Sequence, residues 1–177
     1  FDSYSAMDPS VVLKGETYYM WYMGISDAMK TAIGFAKSPD GVRWTKVGQV
    51  LRLESERQDP NDIGVTNPNV VWNGKSFEMF YTLLGGDGTT AGPIFHAVSD
   101  DGEHWKKDVE PVLGRGTGGH WTSRTVSSPS VLVEGNKLLM WYAGMHTDGK
   151  SFLDAGIGYL SKPLIGTSQS PKPPAPK

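Results

Sequence analysis

From Tyr18 to Met23 every position is apolar. A two-residue alternation puts Tyr18, Met20 and Tyr22 on one face and Tyr19, Trp21 and Met23 on the other. A strand apolar on both faces has to be covered on both, which a half-solvated sheet cannot do. Ahead of it stand a β-branched pair, Val11 and Val12, and a turn at Lys14-Gly15-Glu16, so the segment reads strand, turn, strand. After it, Ala32 to Lys37 predicts a third strand and Asp40-Gly41 a tight turn, with Trp44 opening a fourth strand.

The same pattern returns twice. DPSVVLKGETYYMWYMG (Asp8 to Gly24) aligns without a gap on NPNVVWNGKSFEMFYTL (Asn67 to Leu83) and on SPSVLVEGNKLLMWYAG (Ser128 to Gly144). The prolines at 9, 68 and 129 set periods of 59 (68 minus 9) and 61 (129 minus 68). The second unit also repeats the later strands, Ile94 to Val98, an Asp101-Gly102 turn and Trp105. Four antiparallel strands per repeat, each sheet covered by the next around an axis, make a β-propeller blade. The expectation is an all-β chain whose residues 1–166 form about three blades, over 1–59, 60–119 and 120–166. Unit three reaches Pro163 and lacks the Asp-Gly turn and Trp of a fourth strand, while Phe1 directly precedes the first strand, so no terminal strand is there to lend. Propellers have about 4 to 8 blades. The two outer blade faces are therefore expected to be open apolar surfaces, covered in a homo-oligomer or by a missing half of the propeller. Residues 167–177, rich in Ser and Pro, read as an extended linker.

Composition narrows the function classes. The net charge of -2 offers no basic surface, so neither nucleic acid nor membrane is expected as a partner. The absence of cysteine removes disulfides and thiolate metal sites. No run of about 20 apolar residues is present and the first residues are no signal peptide, so the chain as given is expected to be soluble.

Geometry then selects candidate residues. The link before each innermost strand lies at one mouth of the central channel, so Asp8, Asn67 and Ser128 at the strand entrances should converge around the axis. The links add Asp62, His120, Trp121 and Arg124. Plainer roles fall to other residues. Asp40 and Asp101 should accept turn amides. Met20, Met79, Met140, Trp21 and Trp141 should be core. Glu78, interrupting an apolar run, is expected at an edge, since a buried carboxylate would need a partner. No histidine pair has metal-ligand spacing, so no metal site is expected from this chain.

The combination D-P-S-V-V, G-x-x-Y-Y-M-W-Y-x-G and I-G-x-A-x-S-P-D-G-x-x-W, repeated, resembles the five-bladed β-propeller glycosidases, above all glycoside hydrolase family 43 with families 32 and 130 as relatives, over residues 1 to about 163. The resemblance implies a carbohydrate site in a funnel at the channel mouth, acting on plant or microbial polysaccharide or oligosaccharide. It also implies Asp8 as the general base of an inverting hydrolysis, and a polysaccharide substrate together with the modular linker points to an extracytoplasmic location. A calcium ion in the channel is admitted by the resemblance alone; the residues themselves call for no cofactor. The family's other two carboxylates are not matched: the equivalent positions carry Asn67 and Ser128, and the preceding ones Met7, Thr66 and Ser127. Inverting hydrolysis needs two carboxyl groups roughly 6.5 to 9.5 Å apart. Glu54, Glu56, Asp59 and Asp62 offer an acid, with no spacing to choose among them. Three readings stay open: part of a glycoside hydrolase, a non-catalytic carbohydrate-binding module in which Trp121 stacks on a sugar, and an assembly scaffold.

Overall fold

The computed structural model of the chain describes residues 1–54, 61–87, 90–147 and 152–163. Glu56, Asp59, the segment after Pro163 and the expected linker lie outside the described residues. Blade one is β1 (Ser5–Lys14), β2 (Thr17–Ile25), β3 (Thr31–Ser38) and β4 (Thr45–Arg52). Blade two is β5 (Gly64–Trp72), β6 (Phe77–Leu84), β7 (Ala91–Ser99) and a two-residue β8 (Lys106–Lys107). Blade three has three described strands, β9 (Thr125–Glu134), β10 (Lys137–Thr147) and β11 (Phe152–Pro163), entered through a short 3-10 turn at His120–Thr122.

Within each blade neighbouring strands are antiparallel and the repeat holds to the residue: Trp21 faces Phe35, Phe80 faces His96 and Trp141 faces Tyr159. The first two sheets touch at a single parallel bridge, Thr31 with Gly64. Only glycine fits there, because a Cβ on Gly64 would stand 2.2 Å from the Thr31 carbonyl oxygen. The S-x-D-G-x-x-W turns are built as expected. Asp40 Oδ1 accepts the amides of Val42 and Arg43, and Asp101 Oδ1 those of Glu103 and His104. These amides, led by that of Arg43, hold the exposed Asp40 carboxyl down at about 2.

Blades meet at two joints. In the first, Tyr19, Trp21 and Phe35 stack and Phe77 meets Tyr19 and Trp21 tilted and edge-on, with centroids 5.1 to 6.2 Å apart. The Trp21 indole donates to the Gly102 carbonyl at 2.8 Å, so the Asp-Gly turn of blade two receives a side chain of blade one. In the second, Phe80 and Ile94 of blade two pack on Val126, Val131, Leu138 and Met140 of blade three. A repeated polar link sits at both joints: the residue after the proline hooks the next blade. Ser10 Oγ accepts from the Val70 amide at 2.8 Å, and Asn69 Oδ1 from the Val131 amide at 2.9 Å.

Two expectations are corrected. Glu78 is not at an edge: it is 1% exposed, inside the second joint. His96 explains this, its Nε2 lying 2.5 Å from Glu78 Oε2 and its Nδ1 3.0 Å from Asp108 Oδ2. Met20 and Trp141, unlike the buried Met79, Met140 and Trp21, are only half-buried. Both point to outer faces that no described blade covers.

Candidate functional site

The three residues expected to converge share one backbone feature. Asp8, Asn67 and Ser128 all have a left-handed conformation, with φ of 52°, 48° and 52°. At each, the pairing of the innermost strand with its neighbour slips, at Met7/Ser10, Thr66/Asn69 and opposite Trp141/Ala143. A bulge re-aims a side chain, and a left-handed non-glycine residue costs about 1–3 kcal/mol. Asn and Asp bear that conformation more easily than most residues. The repeat thus turns the pre-proline side chain out of the ladder in all three blades.

Two of the three meet. Asn67 Nδ2 donates to Asp8 Oδ2 at 3.0 Å from the neighbouring blade, joining residues 59 apart in sequence. Thr66 Oγ1 lies 3.5 Å from the same oxygen, but its shorter contact is 2.8 Å to Met23 Sδ. Ser128 is exposed and has no described contact with Asp8. Asp8 is thus a carboxylate oriented by a neighbouring blade, half open to the channel.

Where the link before β5 meets the β2–β3 and β6–β7 hairpins lies a cavity of about 640 Å³, lined by Asp62, Asn61, Asp87, Thr90, Lys30 and Arg115 among others, but not by Asp8, Asn67 or Ser128. Asp62 is buried at its rim. Arg124 belongs to the same wall through Asp87, whose Oδ2 it reaches at 3.0 Å. The hairpins β2–β3 and β6–β7, carrying Lys30, Asp87 and Thr90, contribute as much as the links do. Reading the links alone missed them; the strand count was the available signal, since a second antiparallel strand ends where the first begins. Gly86 lets the second hairpin close on the link, because a Cβ there would stand 2.5 Å from the Asn61 carbonyl oxygen.

His120 and Trp121 are placed differently. Trp121 lies parallel to Tyr142 with centroids 6.0 Å apart, and its ring occupies the space over Gly144, where a Cβ would meet it at 2.2 Å. Phe1 occupies the equivalent socket over Gly24 and Gly34 in blade one. Much of Trp121 is therefore committed to packing. The His120 ring lies 3.7 Å from that of His146, whose Nδ1 meets Ser123 Oγ at 2.6 Å. Glu54 is paired with Lys107 at 2.8 Å and with Arg52 at 3.6 Å, and the Lys107 ammonium holds its carboxyl below the usual value. A carboxyl lowered in this way is a poor general acid at neutral pH.

A channel calcium would take six to eight oxygen ligands, several of them carboxylate. The described channel residues do not fit that demand: one carboxylate is present and the side chain nearest it presents an amide nitrogen. Among the described residues no group of three His, Cys, Asp or Glu side chains could hold a metal.

No family model matches the chain. Uncharacterized protein Rv1502 of Mycobacterium tuberculosis, and MT1551 of a second strain, are 27% identical over 170 residues, 90% of this chain and 52% of theirs. The fold is that of the glycoside hydrolase propellers. An N-acetylgalactosamine deacetylase from F. plautii, solved with blood group B trisaccharide, superposes with a TM-score of 0.72 at 19% identity, over 93% of this chain and 51% of that one. A family 117 glycoside hydrolase of Zobellia galactanivorans gives 0.65 at 20% identity, over 87% and 50%. A GH43_1 enzyme from Xanthomonas citri gives 0.58 at 17%, over 80% and 41%. The chain spans about half the length of the curated relatives it matches.

Proposed function

We propose that this chain is the sugar-binding and base-bearing part of a glycoside hydrolase that cleaves plant or microbial polysaccharide or oligosaccharide outside the cytoplasm with inversion. The observation that carries the reading is the Asp8 carboxylate, turned out of its strand by a left-handed bulge and held by Asn67 at 3.0 Å in the channel. An ionised carboxylate fixed through one oxygen can take a proton from water with the other. Asp62 in the wall of the polar cavity, Arg124 on its Asp87, and Asn67 beside Asp8 are donors and acceptors that suit the hydroxyl-rich surface of a sugar. The general acid is supplied by a covering blade or by residues outside those described. The similar glycoside hydrolase of Zobellia galactanivorans and the deacetylase solved with a trisaccharide support a carbohydrate ligand for this fold.

A second reading has its own observation. The two positions equivalent to Asp8 carry an amide and a hydroxyl, Asn67 and Ser128. The channel then binds glycan without cleaving it. Asp8→Asn separates the two. Reducing-sugar release from a polysaccharide panel should fall by at least about 10²-fold with glycan affinity kept, in line with the loss of a general base. Turnover unchanged in Asp8→Asn overturns the catalytic assignment; glycan affinity without turnover in the parent favours the binding module.

A further inference from the structure

The two faces left open on blades one and three are the two halves of a joint the chain already makes twice. Blade one meets blade two through Ser10, Val12, Tyr19, Trp21, Ile33 and Phe35. The equivalent residues of blade three are Ser130, Leu132, Leu139, Trp141, Ile157 and Tyr159, and no described residue covers them. Leu132 is 58% exposed and Ile157 72%. Ser130 stands where Ser10 and Asn69 hook the next blade, and is itself exposed. The receiving half is present on the other side of the molecule. The amides of Val70 and Val131 take the two internal hooks, and Val11 is their equivalent on blade one, where no described side chain reaches its amide. Around it lies an apolar groove of about 330 Å³ with Met7, Pro9, Met20, Tyr22 and Trp44 in its walls, and Leu13 beside it is about half exposed.

We infer that blade three of one copy docks on blade one of a second copy, Ser130 Oγ accepting the Val11 amide of the partner, and that two such joints close a head-to-tail dimer. A face that fits another face of the same chain gives heterologous contacts, which form a ring when the rotation closes. Three blades per copy make six, inside the usual range of about 4 to 8. The channel of that ring carries Asp8, Asn67 and Ser128 twice. The docking rests on the blade joints and not on the glycan reading.

The test is the solution mass of the chain by light scattering after size exclusion, with the circular dichroism of each variant as the control for folding. Twice the 19.3 kDa chain mass is expected. Leu132→Glu on blade three and Leu13→Glu on blade one should each give a folded monomer. Mixed together they should form a dimer again, because one intact joint can be made between them. Ser130→Ala should weaken the dimer about tenfold or more, two hooks being lost per ring. A parent chain that stays monomeric, or one that forms open polymers, overturns the closed dimer. Leu13→Glu remaining dimeric while Leu132→Glu does not would show blade three meeting blade three, and overturns the head-to-tail contact. If either variant loses its fold, Ser130→Ala, which leaves the apolar faces intact, decides by its effect on the dimer's dissociation constant.

Discussion

The joint between blades one and two is apolar and aromatic; the joint between blades two and three, built on the same backbone, holds a charged cluster. Tyr19 and Phe35 lie 5.9 Å apart in the first, and their equivalents in the second are Glu78 and His96, in contact at 2.5 Å. Asp108 takes the other imidazole nitrogen, while Asn73 donates to the second Glu78 oxygen at 2.5 Å. Burial alone would push the His96 pKa down, but the hydrogen bonds and charges of Glu78 and Asp108 outweigh it and raise it. One blade geometry thus accepts either solution, and the difference is in how each fails. An aromatic joint loses area when cut; a charged one strands a charge.

The largest effects should come from cutting each joint at its centre. Trp21→Ala should cost about 3–5 kcal/mol, from the lost ring and its packing, the Gly102 carbonyl keeping the Trp105 indole as a donor at 3.0 Å. His96→Ala should cost about 3–5 kcal/mol for a different reason, an unpaired carboxylate at Glu78. Urea denaturation at pH 7 measures both, and the double change Glu78→Tyr with His96→Phe tells the reasons apart. By copying the first joint, it should recover most of the His96→Ala loss, since replacing a buried ion pair by packed apolar groups is often neutral or stabilising by about 1–4 kcal/mol. A double variant as unstable as His96→Ala would break the comparison.

A smaller effect should appear with pH. Glu78, Asp108 and, across a small space of about 60 Å³, Lys162 are the charged groups around His96. Because its folded value is raised, the stabilisation from the imidazolium is fully present below the ordinary value of 6.5 and is lost as pH rises through the folded one. The denaturation midpoint of the parent should therefore decline as pH rises from 6.5 through the raised folded value, and that of the Tyr/Phe variant should not decline there. Smallest of all, Asn69→Ala should cost about 1 kcal/mol through the lost hook to Val131. A cost near zero would mean that the hooks set register without adding stability.

The strands were legible in the sequence because their apolar alternation and the prolines repeat together; the Asp40 and Asp101 turns were equally plain. The second joint was not. Glu78 read as an edge residue because its partner His96 comes from the next strand, 18 residues on, and only the β6–β7 register puts the two side by side. The repeat set Asp8 and Asn67 at equivalent positions, and their side chains meet, but the hairpin wall of the cavity, with Lys30, Asp87 and Thr90, was missed, for no repeat marks those turns. Trp121 looked like a free platform in a polar link; its socket is made by Gly144, a glycine far along the chain.

The left-handed bulge before each proline restricts which chemistry this fold can place on its axis. A residue there must tolerate positive φ, so the axial alphabet is short: glycine, asparagine, aspartate and, at greater strain, serine. Such side chains can take a proton, orient a neighbour or leave space, but none is long enough to reach far across a ring. A long carboxylic acid such as glutamate has to enter from the mouth, on a link or hairpin. Substitution on the axis therefore changes which groups a sugar meets at the bottom of the funnel, and substitution at the rim changes what approaches it from above.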